Sequence, residues 1–113
     1  MPAYTVGDVH VADADAYEQY RLIAPATIAK YGGRYLVRGG VSQILEGHWE
    51  PGRLVVLEFE TVEQAIQWHQ SPEYQEARKL RKECSDTNLV VVDGLETSSI
   101  VPVLSSDATR DYR

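Results

Sequence analysis

The stretch Phe59-Glu60-Thr61-Val62-Glu63-Gln64-Ala65-Ile66-Gln67-Trp68-His69-Gln70-Ser71-Pro72-Glu73-Tyr74 decides the fold. Phe59 closes an apolar strand. Thr61 and Gln64 have the spacing of a capping box, in which the Thr hydroxyl accepts from the amide three residues on and the Gln side chain reaches back. Ser71 then stands at the N-cap of a second helix whose first position is Pro72, where a missing amide donor is no loss. A strand, a helix, a stop and a second helix therefore follow one another without a long loop.

Upstream of this stretch, Leu54 to Glu60 reads as the most apolar strand, with Val55, Leu57 and Phe59 on one face and Leu54, Val56 and Glu58 on the other. Apolar residues on both faces require both faces to be covered. Pro51-Gly52 before it has the composition of a type II turn. Arg34 to Arg38 reads as another strand, and Gly39-Gly40 turns the chain into a short extended arm, Val41 to Glu46. Tyr4 to Val11 alternates as a first strand. Asp13 can cap a helix from about Ala14 to Tyr31, with a stripe of Tyr17, Tyr20, Ala24, Ile28 and Tyr31 and a stop at Gly32-Gly33. Pro25 inside this helix removes one hydrogen bond and predicts a kink near Arg21 to Leu22. Downstream, Asn88 to Asp93 is the last strand.

The order strand, helix, strand, arm, strand, helix pair, strand is a split βαβ repeat of ferredoxin-like type, an α+β fold with a four-stranded antiparallel sheet. Its helices cover one sheet face only, so the other needs a partner, and sheet-to-sheet packing predicts a homodimer. Residues 1–95 form this domain. Residues 96–113 form a tail in which Ile100-Val101-Pro102-Val103-Leu104 is apolar enough to dock as an arm.

The chain has 113 residues, 43% of them hydrophobic, which suits one domain. Its net charge of -6 argues against nucleic acid, because phosphate backbones are held by clustered Lys and Arg. The local run Arg78-Lys79-Leu80-Arg81-Lys82 is flanked by Glu76 and Glu83 and reads as a solvated helix face. A single cysteine, Cys84, and an N-terminus without a signal-peptide pattern fit the cytoplasm. No apolar run is long enough for a membrane span.

Several of these segments resemble the domain-of-unknown-function family 1330 within the dimeric α/β-barrel superfamily. They are Asp15-Ala16-Tyr17 with Tyr20, Tyr31-Gly32-Gly33-Arg34-Tyr35, Arg38-Gly39-Gly40, Glu46-Gly47 with Trp49, Leu57-Glu58-Phe59, Ala65 through Trp68 to Tyr74, Arg81, and Val92-Asp93-Gly94. The resemblance covers Tyr4 to Gly94 and implies a ferredoxin-like dimer whose ligands sit between sheet and helices. Its wider relatives include cofactor-free monooxygenases, haem-degrading oxygenases, muconolactone isomerases and stress-linked binding proteins. His48 and His10 depart from the family's pattern.

Three groups of residues are candidates for chemistry. Arg38 and Glu58 lie on strands that can be neighbours, either as a buried salt bridge or as an anion anchor, Arg38, oriented by Glu58. Asp8 and His10 share a strand face about 6.5–7 Å apart at the backbone, so they are an acid-base dyad or an ordinary polar pair. Tyr17, Trp68 and Tyr74 are core residues or the wall of an aromatic pocket. The three histidines lack metal-ligand spacing, Cys84 lacks an activating helix N-terminus, and neither Gly pair has phosphate-loop spacing.

The resulting expectation is a cofactor-independent enzyme, of isomerase, cyclase, lyase or monooxygenase type, acting by proton transfer on a carbonyl-bearing or aromatic metabolite. In it Arg38 holds an oxyanion, Glu58 or His10 moves a proton, and Tyr17, Trp68 and Tyr74 enclose the ligand. The alternative is a non-catalytic dimeric binding or stress-response module. No metal, nucleic-acid or membrane partner is expected.

Overall fold

The structure is a computed structural model that describes residues 2–95. The elements run β1 (Ala3–Val11), α1 (Ala14–Lys30), β2 (Arg34–Arg38), β3 (Arg53–Phe59), α2 (Val62–Gln70), α3 (Pro72–Cys84) and β4 (Ser85–Asp93). The strands pair antiparallel in the order β2-β3-β1-β4. With all three helices on one face this is the ferredoxin-like α+β fold. The tail expected beyond residue 95 lies outside the described residues. Within them, no helix is long and apolar enough to cross a membrane.

Local chemistry explains each helix end. Asp13 accepts from the Ala16 amide at the start of α1. At its end the Gly33 amide reaches back to the Ile28 carbonyl and the Gly32 amide to that of Ala29, with Gly32 at φ +79°. That is the double-bonded helix stop which needs a left-handed residue. Thr61 accepts from the Gln64 amide, but the reciprocal half of the capping box is not made. The Gln64 side chain lies against Gly32 instead. Ser71 serves two helices at once: its hydroxyl donates to the Trp68 carbonyl at 2.7 Å and accepts from the Tyr74 amide at 3.1 Å. One buried residue thus ends α2 and starts α3.

Two sequence expectations about backbone change form. Helix α1 continues through Pro25, and the carbonyl that Pro25 leaves without its amide partner, on Arg21, accepts from the Arg38 guanidinium at 3.1 Å. The orphaned acceptor is satisfied from a neighbouring strand. Pro51-Gly52 is not a type II turn, because Gly52 lacks the positive φ such a turn requires. Glycine is required there for closeness, since a Cβ would stand 2.5 Å from the Val9 carbonyl. The arm between β2 and β3 forms no strand, and Val41 and Leu45 stand almost fully in solvent.

The core lies between the helices and the inner sheet face. Ile28, Leu57, Phe59, Ala65, Trp68, Tyr74 and Ala77 form one buried cluster; Val9, Tyr17 and Cys84 form a second. The outer face carries no helix. There, strand register aligns Val37, Val56, Val6 and Val90 in one row across all four strands.

Candidate functional site

A narrow cleft opens between the inner sheet face and helices α1 and α3. Period-two alternation brings Thr5, Gly7 and Val9 of β1, Arg53, Val55 and Leu57 of β3, and Thr87 and Leu89 of β4 to its floor. Its roof is Tyr17, Tyr20 and Arg21 of α1, Trp68 of α2, and Tyr74 and Arg81 of α3. Tyr35 and Arg38 of β2 close one side. The space inside is about 40 Å³, room for roughly three waters at ~10–15 Å³ each.

The rings and cations interleave. The Tyr17 and Tyr20 centroids lie 5.4 Å apart, and the Tyr20 hydroxyl hydrogen-bonds that of Tyr74 at 2.9 Å. Arg38 stacks over the Tyr35 ring at 4.6 Å, Arg53 lies over Tyr17 at 5.8 Å, and Arg81 over Tyr20 at 6.0 Å. Burial holds the Tyr17 and Tyr35 hydroxyls above the ordinary tyrosine range, against the pull of neighbouring arginines. Burial, reinforced by Tyr74, raises that of Tyr20 further. These tyrosines stay protonated at neutral pH, so they can donate to an oxyanion but cannot act as bases.

Of the residues singled out in the sequence, Arg38, Tyr17, Trp68 and Tyr74 meet in this cleft. Trp68 and Tyr74 are also core residues, 2% and 1% exposed. The Trp68 indole N–H is satisfied by the Thr27 hydroxyl at 3.1 Å. Glu58 and His10 do not reach the cleft, and this corrects the expected constellation. Glu58 faces outward and pairs with Arg34 at 2.6 Å rather than with Arg38. Register sets Arg34 directly opposite Glu58, and a β-bulge between Tyr35 and Val37 then shifts the pairing so that Arg38 lies opposite Val55 and turns to the helix side. Regular alternation from Arg34 would have kept Arg38 on the outer face opposite Leu54, still four residues along β3 from Glu58.

His10 also lies on the outer face. Its Nε2 is 3.3 Å from Asp8 Oδ1, so the pair forms, but Asp8 serves the arm. Its carboxylate accepts from the Trp49 indole N–H and from the Gly52 amide, both at 2.8 Å. The Trp49 hydrogen bond holds the Asp8 carboxyl below its ordinary range; burial opposes this, and Gly52 and His10 add to it. A carboxyl with a lowered folded-state pKa contributes stability that is present above the unfolded value, near 3.9, and lost as pH falls through the folded one. Asp8→Asn is therefore expected to flatten the acid limb of the stability curve below about pH 4. Denaturant titrations from pH 2.5 to 7 check this, and an unchanged acid slope would refute it.

Sequence reading missed Arg53, Arg81, Tyr20 and Tyr35 as cleft residues. Arg81 is only 6% exposed, so the Arg78 to Lys82 run is not wholly a solvated face. The signal was present: Tyr74, Ala77, Arg81 and Cys84 are buried at helical spacing. Arg53 likewise continues the alternation of Val55, Leu57 and Phe59. Cys84 is buried and its thiol is pushed up, chiefly by burial. Among the described residues no cluster of His, Cys, Asp and Glu could hold a metal.

The fold and the cleft define a ferredoxin-like α+β protein with a tyrosine- and arginine-lined cavity between sheet and helices. The chain belongs to the family described as a domain of unknown function, DUF1330, which matches residues 2–95. No curated protein matches it in sequence. Among solved structures it is similar to a protein of unknown function from Rhodopseudomonas palustris, with 20% identity, 84% of this chain and 83% of that one covered, and a TM-score of 0.69. It is similar to a dimeric ferredoxin-like protein of unknown function from Jannaschia sp. CCS1, with 12% identity, 83% and 100% covered, and a TM-score of 0.63. A third is the cofactor-independent oxygenase SnoaB from Streptomyces nogalater, with 11% identity, 87% and 97% covered, and a TM-score of 0.59. At these identities the likeness is one of fold.

Proposed function

We propose that this protein is a homodimeric, cofactor-independent enzyme that holds a small carbonyl-bearing or aromatic metabolite in the cleft as its enolate or phenolate. The observation that carries this reading is the lining itself: arginines and protonated tyrosines converge on one narrow space, and no carboxylate joins them there. Positive charge and hydroxyl donors favour the anionic form of a carbonyl compound, as in an oxyanion hole. Arg38 is the oxyanion anchor, and Tyr17, Tyr74 and Trp68 enclose the ligand. The substrate carbon releases its proton to water while the electron pair moves to oxygen, because the described lining residues include no Glu, Asp, His, Lys or Cys. The oxygenase among the structural neighbours is a cofactor-independent protein of the same fold, which is consistent with such chemistry.

That same lack of a base favours a second reading, a binding module without turnover. Arg38→Ala separates these from a purely structural role. As an enzyme, the variant is expected to keep its dimer, to melt slightly lower with the loss of the hydrogen bond to the Arg21 carbonyl, and to lose about 100- to 1000-fold in kcat. As a binding module it loses ligand-induced thermal stabilisation. A lower melting temperature with no ligand effect in either protein, across a broad metabolite screen, would remove both readings.

The dimer is part of the proposal. Val90 and Val92 are 61% and 51% exposed on the outer face, and the arm presents Val41 and Leu45 beside it. A second copy buries the same face by two-fold symmetry. The solved neighbour from Jannaschia is dimeric with the same fold. The cytoplasm, where its lone buried cysteine stays reduced, is the proposed location.

A further inference from the structure

Among the described residues, five buried side-chain polar atoms have no hydrogen-bond partner, and four of them belong to residues that line this cleft: Thr5 Oγ1 and the Nε atoms of Arg21, Arg53 and Arg81. Thr5 is 4% exposed and Arg81 6%. A buried polar group without a partner is destabilising, the more so when charged, so four in one place need a common cause. Arg21 has Glu18 at 3.1 Å, outside the cleft. Arg53, Arg81 and Arg38 form no ion pair among the described residues, in a chain whose net charge is -6.

We infer that the cleft is a receptor for a compact carboxylate, so that the ligand is an acid with a short planar body rather than a neutral ketone or a polycyclic ring system. This rests on the proposed function and names its substrate class. An arginine Nε is half of the fork that meets both oxygens of a carboxylate, and in Arg53 and Arg81 that buried Nε has no hydrogen-bond partner among the described residues. Thr5 supplies a hydroxyl donor from the sheet floor. The Arg38–Tyr35 and Arg53–Tyr17 stacks place flat surfaces beside these donors, which suits a planar acid. A space of about 40 Å³ takes a carboxylate with only one or two further heavy atoms, the size of acetate. Carboxylate is favoured over phosphate because the groups that converge here are side-chain forks and hydroxyls between rings, without the glycine-rich amide loop of a phosphate cradle. With the carboxylate held by Arg53 and Arg81, Arg38 remains for the enolate oxygen.

The test is calorimetric titration of the full chain with acetate, its neutral isostere acetamide, and inorganic phosphate at fixed ionic strength. Acetate is expected to bind about tenfold or more tightly than acetamide and phosphate, which is the effect of one charge-assisted hydrogen bond. Arg81→Gln and Arg53→Gln are each expected to remove that preference. Arg81 is buried and its variant can fail to fold, so the less buried Arg53 keeps the test decisive. Equal affinity for acetate and acetamide, or no binding at millimolar concentration, would overturn the inference and leave the stacks as packing. Preference for phosphate would also overturn it. Failure here is distinguishable from failure of the proposed function. Turnover of a neutral carbonyl compound keeps the enzyme and rejects the carboxylate, whereas acetate selectivity without turnover of any acid does the reverse.

Discussion

Phe59→Ala is expected to lower stability by about 3–5 kcal/mol, the range for truncating a buried aromatic. Phe59 is 1% exposed and, with Tyr74, the largest fully buried side chain. Its ring stacks 5.4 Å from that of Trp68, and it packs so closely on the α1–β2 turn that a Cβ on Gly33 would lie 2.5 Å from it. Helix, turn and strand meet at this ring, and none can collapse alone into the space it leaves. A domain of this size has about 5–15 kcal/mol in all, so the variant falls close to the threshold of folding. At roughly 4–8 °C per kcal/mol the melting temperature drops by well over ten degrees. Denaturant titration gives the loss directly, with an unchanged slope as evidence that the two-state transition is retained. A loss under 1 kcal/mol would mean that Trp68 moves in to fill the site, and that the roof of the cleft is not fixed by this stack.

The second large effect concerns association. Val90→Asp puts a carboxylate at the β4 end of the outer valine row, at a position 61% exposed in the protomer. The isolated protomer should tolerate it, because the side chain remains in water. A two-fold interface over this face instead buries the charge twice, once from each copy. Removing an unpaired charge from water costs several kcal/mol. Dissociation is therefore expected to strengthen by about a thousandfold or more, and sedimentation at micromolar concentration should show a folded monomer with unchanged circular dichroism. A dimer that survives the change would place the interface elsewhere. A wild-type chain already monomeric at that concentration would leave the valine row without the occupant proposed for it.

Much of the architecture is legible in the linear chain because it is set by local rules. Thr61, Ser71 with Pro72, Asp13 and Gly32 each act within a few residues of themselves, and alternation in β1 and β3 sorts side chains between two faces. The candidate site is less legible. Arg53 and Arg81 lie on the right strand face and helix stripe, yet their charge reads as solvent exposure until the tyrosines around them are known. Glu58 and His10 show the opposite failure: both look chemically apt, and both point to the outer face.

The sequence by itself therefore determined the order of elements, the helix ends and the uncovered second sheet face, since spacing and capping carry that information over a turn or a strand. Only the tertiary structure decided which charges share a cavity. The bulge in β2 turned Arg38 inward, and the carbonyl freed by Pro25 received it. Asp8 was drawn to Trp49 and Gly52 across more than forty residues. Each of these depends on strand register, and register is settled by burying whole faces at once, a free energy that no short stretch of chain contains.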